Sequence, residues 1–261
     1  WGWSSPVLML LILAIGIIFG IVQGFCISYL EIQPFIVTMA GMFFARGMTA
    51  VICKEQVSIV SDKIFTTLSS FKISLPFGGC LNKKGIMQFP YLRVTVVVAL
   101  IVVIAIYLML KYTRFGRSLY AVGGNPVASR LSGINDTGIT ILAYALSGLT
   151  TAIGGIVLAS MTQQCMASTG SGYENYVIMS AVIGGISLLG GVGTVPGCVF
   201  GAILIGLLNN GLNLMSVPST EHDLVKGIVI IASVAFDALQ HQDKAKNWFK
   251  QFKFFKKGEM A

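Results

Sequence analysis

Ser5 to Leu30 is apolar over 26 residues and contains neither an acid nor a base. At 1.5 Å per residue a helix of that length crosses a hydrocarbon core of roughly 30 Å with tilt to spare. It is too long for the apolar core of a signal peptide, and no basic residue precedes it. Apolar stretches recur at Pro34–Cys53, Tyr91–Leu110, Thr137–Ser160, Tyr176–Leu189, Gly197–Met215 and Leu224–Leu239. Lipid offers the backbone no hydrogen-bond partner, so spans of this kind close their bonds internally as helices. The expected fold is all-α, a polytopic transmembrane helical bundle with about seven membrane segments in residues 1–239. The composition agrees: 55% of the residues are hydrophobic and 11% charged, with a mean hydropathy of +0.81. Soluble domains carry roughly 25% charged residues.

A net charge of +8 would point to nucleic acid in a soluble protein. Here the cations gather in loops and in the tail 240–261, so the positive-inside rule accounts for them and no nucleic-acid partner is expected. Five cysteines show no C-x-x-C pair and no metal spacing. Cys26 and Cys198 read as small buried hydrophobes, Cys80 falls in a loop, and nothing obliges a disulfide. His222 and His241 sit in a loop and in the tail without a triad or metal pattern around them. The Gly-rich run at 190–197 lacks the G-x-x-x-x-G-K-[ST] of a phosphate loop. No catalytic residue, metal or cofactor is expected in this chain.

One interior segment cannot lie in lipid. Gly116–Ile134 reads GRSLYAVGGNPVASRLSGI, with Arg117 and Arg130 inside it and Lys111 and Arg114 just before. Gly123-Gly124-Asn125-Pro126 is a turn signal. Asn125 suits an N-cap, Pro126 a first helical position and Gly133 a C-terminal stop, which predicts a short helix over Val127–Ser132. A capped helix between two spans is a rigid knob. The pattern G-R-x-x-Y-A-x-G-G-N-x-x-A-x-R-x-x-G-I resembles the cytoplasmic loop of ABC sugar-importer permeases of the ribose, xylose and galactose type. That resemblance makes 111–136 a coupling loop against an ATP-binding subunit, through Gly123, Gly124, Asn125, Ala128, Ser129, Arg130, Gly133 and Ile134. Ala128, Ser129 and Ser132 would allow close contact, and Arg130 would meet a carboxylate.

Two more stretches are similar to that family. QPFIVTMAGMFFARGMTAV carries its P-x-F-I-x-T-x-A and R-G, and VIGGISLLGGVGTVPGCVFGAILIGLLNNGLNL carries its Gly-rich break and its N-N-G-L-N-L. The likeness runs from about Pro34 to Leu239. FIVTMAGMFFARG and TTLSSFKISLPFGG look most like the galactofuranose-type permease. The resemblance implies a permease subunit that moves a monosaccharide across a bacterial inner membrane. Its partners would be an ABC ATP-binding subunit that binds the ATP, a second permease subunit of the same or another kind, and a periplasmic sugar-binding protein. Those permeases carry further spans upstream, including a G-G-x-D-L-S-V-G stretch, so either such spans precede Trp1 or the chain is a partial copy.

Candidate pathway residues are few. Gly16, Gly20 and Gly24 recur every four residues, which lets a neighbouring helix approach closely, and Gln23 beside them either packs or lines a route. Thr38 and Arg46 lie in the second apolar stretch. Arg46 either snorkels to the outer interface or serves the pathway. Asn209 and Asn213 share a helix face, for inter-helix hydrogen bonds or for a hydroxylated solute. Gly148, Gly154 and Gly155, and the pair Gly197 and Gly201, are further packing candidates. A secondary transporter is the alternative, but it wants an acid in mid-span, and Glu31, Glu174 and Asp237 all stand near span ends. A non-functional partial permease is the third reading.

Orientation rests on charge. The segment from Lys111 to Arg130 and the tail together hold ten Lys or Arg, with four expected spans between them. Both are expected in the cytoplasm, the C-terminus included. The loop 54–90 then lies outside despite its five lysines. Trp248, Phe249, Phe252, Phe254 and Phe255 interleave with lysines in the tail, which either rests on anionic membrane lipid or is solvated.

Overall fold

The computed structural model describes residues 5–59, 63–74, 80–81, 87–88, 91–187, 190–216, 218, 221–222, 224–225, 227–229, 231–232 and 235. The chain divides into two compact units, Trp1–Thr169 and Gly170–Ala261.

In the first unit, α1 (Ser5–Ser28) and α2 (Pro34–Ile52) lead to β1 (Val57–Ser58), α3 (Lys63–Ser70), β2 (Lys72–Ser74), β3 (Cys80–Leu81), β4 (Met87–Gln88) and β5 (Tyr91–Arg93). Then come α4 (Val94–Tyr112), α5 (Arg114–Gly124), α6 (Pro126–Leu131), α7 (Asp136–Thr162) and β6 (Gln164–Cys165). The second unit holds α8 (Tyr173–Ile183) and α9 (Val195–Leu214).

The core of the first unit is the seam between α1 and α7. A Cβ on Gly24 would stand 2.8 Å from the Ile141 Cα, and one on Gly16 would stand 2.7 Å from the Ala152 Cβ and the Gly148 carbonyl oxygen. A Cβ on Gly20 would collide with the Tyr144 carbonyl. Rising numbers on α1 meet falling numbers on α7, so the two helices run antiparallel. Gly20, Gly24, Ala152 and Ser160 are buried in this part of the bundle. The glycine repeat thus packs as expected, and Gly148 answers it from α7. Gly154 and Gly155 do not pack: no atom lies within 4 Å of a Cβ built on either.

The antiparallel seam sorts the connections into two ends. The α1–α2 turn, with Glu31 in the left-handed region at φ 52, lies at the start of α7. The other end is tied by a two-residue ladder, Val57 opposite Cys165 and Ser58 opposite Gln164, extended by Ile59 N–H to the Gln163 carbonyl at 3.0 Å. The side chains of Gln56 and Gln164 also hydrogen-bond. The segment read as a loop over 54–90 contains α3 and the short antiparallel ladder β3–β4, and its β2 pairs with β5, so the first three residues of the expected span Tyr91–Leu110 are strand and the helix starts at Val94. These strands amend the all-α expectation locally and leave the membrane portion helical.

Among the described residues, five helices are long and apolar enough to cross a membrane: α1, α2, α4, α7 and α9. Their outward faces stay apolar, with Ile18 at 60%, Phe44 at 63%, Ile101 at 60% and Phe200 at 72% exposure. Such surface suits lipid or further helices. The expected crossing at Tyr176–Leu189 is a shorter helix, α8, of 11 residues. Gly185, Gly190 and Gly191 carry positive φ just after it and turn the chain into α9, which Thr194 caps through the Gly197 N–H at 3.3 Å. Within this hairpin Gly197 stacks on Gly184, and Gly201 on the Ser180 carbonyl, so that small-residue pair packs as expected. Half of Leu224–Leu239 and all of the tail lie outside the described residues.

Candidate functional site

The segment 111–136, expected to be the coupling segment, is built from helix ends. The Thr113 hydroxyl oxygen accepts the Gly116 N–H at 3.2 Å and opens α5 directly after α4. Gly116 is buried in that corner, where a Cβ would strike the Leu110 carbonyl. Residues 114–124, expected as loop, form an amphipathic helix with Phe115, Leu119 and Val122 half-buried and Arg114, Arg117 and Tyr120 exposed.

Asn125 separates two helices. Its N–H donates to the Ala121 carbonyl at 3.0 Å and closes α5, while its side-chain oxygen accepts the Ala128 N–H at 3.0 Å and opens α6. Pro126 takes the first helical position, where its missing N–H costs nothing. Gly133 ends α6 at φ 78, with its N–H on the Arg130 carbonyl at 3.0 Å and the Ile134 N–H on the Ser129 carbonyl at 3.1 Å. The cap, the proline and the terminal glycine were all legible in the sequence. The helix itself begins and ends one residue earlier than read there.

Arg130 turns back into its own chain. Its Nε donates to Asp136 Oδ2 at 2.5 Å, in the first turn of α7. Hydrogen bonding and attraction to that carboxylate raise the guanidinium pKa above its ordinary value, with a smaller push from Glu31 in the α1–α2 turn. The carboxylate assigned to Arg130 is thus found within the protein. Ser129 is 4% exposed, which removes it as a contact for another subunit in this conformation. Ala128, Gly123 and Gly124 are exposed and Ile134 is half-buried. The outer face of α6 is carried instead by Val127 and Leu131, one turn apart, at 69% and 86% exposure. Their i, i+4 spacing is readable in the sequence, where the family resemblance falls on the small residues between them.

In the first unit, the candidate pathway residues Gln23, Thr38 and Arg46 do not line one cleft together. A cleft of about 590 Å³ lies between α1 and α2, lined by Ile18, Phe19, Val22, Gln23, Val37 and Gly41 among others. Gln23 is half-buried and its amide abuts Gly41. Thr38 is absent from this lining, and its hydroxyl donates back to the Pro34 and Phe35 carbonyls at 3.0 and 3.1 Å. Arg46 is half-buried further along α2. In the second unit Asn209 is half-buried and Asn213 exposed.

Lipid-length helices zipped through glycine, with a capped helix pair joining two of them, define a multi-pass membrane protein of the transport kind. The chain belongs to the family described as branched-chain amino acid transport system / permease component, whose pattern matches residues 1–234. It is similar to the inner membrane ABC transporter permease protein YjfF of Escherichia coli K12, 40% identical over 210 residues, covering 80% of this chain and 60% of that protein. The ribose import permease protein RbsC of the same organism is 36% identical over 226 residues, covering 86% and 66%. The galactose/methyl galactoside import permease protein MglC of Haemophilus influenzae is 31% identical over 243 residues, covering 92% and 68%. The chain therefore spans about two thirds of the length of these relatives. No solved structure matches it.

Proposed function

We propose that this chain is a membrane subunit of an ATP-driven importer for a monosaccharide in a bacterial inner membrane. It works with a second permease subunit, an ABC ATP-binding subunit that holds and hydrolyses ATP, and a periplasmic sugar-binding protein. The sugar names of the relatives support the substrate class. On this reading the membrane portion has seven segments: the five long helices, α8, and the stretch Leu224–Leu239. The coupling segment and the C-terminus face the cytoplasm.

The observation that carries the reading is α6. It is a helix of 6 residues, too short to be stable alone, yet fixed by a side-chain cap, a terminal glycine and the Arg130–Asp136 pair. It spends that rigidity on presenting Val127 and Leu131 to the outside. A fixed, protruding aliphatic pair is a handle for another protein. Movement of the handle reaches α7 through Arg130–Asp136, and α7 moves α1 through the glycine seam. The α1–α2 cleft then changes width, because α2 has no buried residue and packs far less closely on α1.

The test is co-purification in detergent with a tandem ABC ATPase of the sugar-importer class. Wild type is expected to capture it, and Leu131→Asp to lose capture by about tenfold or more, with Ala128→Asp weaker in the same direction. Equal capture by wild type and Leu131→Asp sinks the assignment of α6.

A further inference from the structure

The corner where α4 meets α5 collects three cations that the coupling role leaves unused. Lys111, Arg114 and Arg117 are all exposed, and none makes an ion pair among the described residues. Lys111 is held in place without being neutralised. Its Nζ donates to the Tyr107 hydroxyl at 2.9 Å and lies 5.3 and 5.5 Å from the ring centres of Tyr107 and Tyr112. Arg114 and Arg117 stand three apart on the exposed side of α5, whose other side is turned inward. Asp136, a carboxylate of the coupling segment, is already taken by Arg130.

Below this corner runs an apolar track. Ile101, Ile104, Leu108 and Tyr112 fall on one stripe of α4 at 60%, 47%, 47% and 65% exposure. From Ile101 to Tyr112 the helix rises about 16 Å. That matches one leaflet of a hydrocarbon core of roughly 30 Å. An apolar track one leaflet deep, topped by tyrosines and three cations without an ion pair among the described residues, has the layout of a phospholipid: chain, interface, headgroup.

We propose that the α4–α5 corner binds an anionic phospholipid, its phosphate held by Lys111, Arg114 and Arg117 and its acyl chain laid along Ile101, Ile104 and Leu108. A zwitterionic lipid would bring its own cation into the same corner and lose most of the attraction. The site rests on the membrane location of α4 and is independent of the coupling role of α6.

The full chain, reconstituted in nanodiscs of equimolar phosphatidylglycerol and phosphatidylcholine and then extracted in mild detergent, is assayed by mass spectrometry for retained lipid. Wild type is expected to retain phosphatidylglycerol over phosphatidylcholine. The preference should fall about fivefold for each charge removed in Lys111→Gln, Arg114→Gln and Arg117→Gln. The charge-preserving set Lys111→Arg, Arg114→Lys and Arg117→Lys should keep it, which separates charge from folding. Leu108→Asn should also lose lipid, because the chain seat is spoiled. No preference in wild type, or an unchanged preference in the triple Gln variant, overturns the proposal. So does full displacement by inorganic phosphate with no effect of Leu108→Asn, which would mark a simple anion site. Loss of ATPase capture in the triple Gln variant at unchanged lipid retention would reassign the corner to a protein partner.

Discussion

Asn125 does two jobs that no other side chain in the segment can take over. Its carboxamide oxygen holds the Ala128 N–H at the start of α6, and its extended backbone at φ −156 breaks the run of α5. Replacing an N-cap Asn with Ala costs about 1 kcal/mol. In a helix of 6 residues that loss has nowhere to spread. Asn125→Ala should therefore speed hydrogen exchange at the Ala128 amide by about fivefold while α7 amides stay protected. Asn125→Asp, which keeps an accepting oxygen, should leave the amide near its wild-type rate. An unchanged Ala128 rate in the alanine variant would mean that packing, and not the cap, holds α6. Such local chemistry is what a sequence shows best: an N-cap, a proline and a terminal glycine act over a few residues, and all three were legible here. Burial is not local. Ser129 looks like a small contact residue in the sequence, and only the fold of α6 against its own unit hides it.

Among the elements, the α1–α7 pair is the one most sharply fixed by its side chains, or by the lack of them. Backbone meets backbone at Gly20 and Gly148, so a single methyl has no flexible neighbour to displace. Gly20→Ala should destabilise the first unit by about 1–3 kcal/mol. Gly154→Ala on the same α7 meets open space and should be neutral or slightly stabilising. Thermal unfolding in detergent, followed by fluorescence-detected size exclusion, compares the two. Similar melting of both variants would show that the seam does not carry the fold. The glycine period on α1 was readable because four-residue spacing is a helix-face statement. Whether Gly148 or Gly154 answers it depends on the register of two helices far apart in sequence, which no local pattern encodes. The same limit hid α5: its glycines and charges read as loop, and it becomes helix because Thr113 caps it and α4 and α7 cover its apolar side.

For the whole molecule, the side of the membrane reached by the C-terminus turns on α8. Between the coupling segment and the tail, α7 at about 40 Å and α9 at about 30 Å each cross by length. The eleven residues of α8 reach only about 16 Å. With Leu224–Leu239 as the last expected crossing, there are four crossings if α8 and the glycine turns after it complete one, which puts the tail on the side of α6. If they dip and return, three crossings put it on the other side. Charge argues for four. The tail carries six lysines against Asp243 and Glu259, and the coupling segment carries Lys111, Arg114, Arg117 and Arg130, so both favour the cytoplasm. The α8–α9 pairing is compatible with that, since Gly184 meets Gly197 and Ser180 meets Gly201 as in an antiparallel hairpin. A C-terminal green fluorescent protein fusion should fluoresce in whole cells, and a C-terminal alkaline phosphatase fusion should be inactive. The reverse pattern would make α8 a re-entrant element. It would also leave six lysines outside, so that the tail's charge would need a partner there and could no longer be explained by orientation.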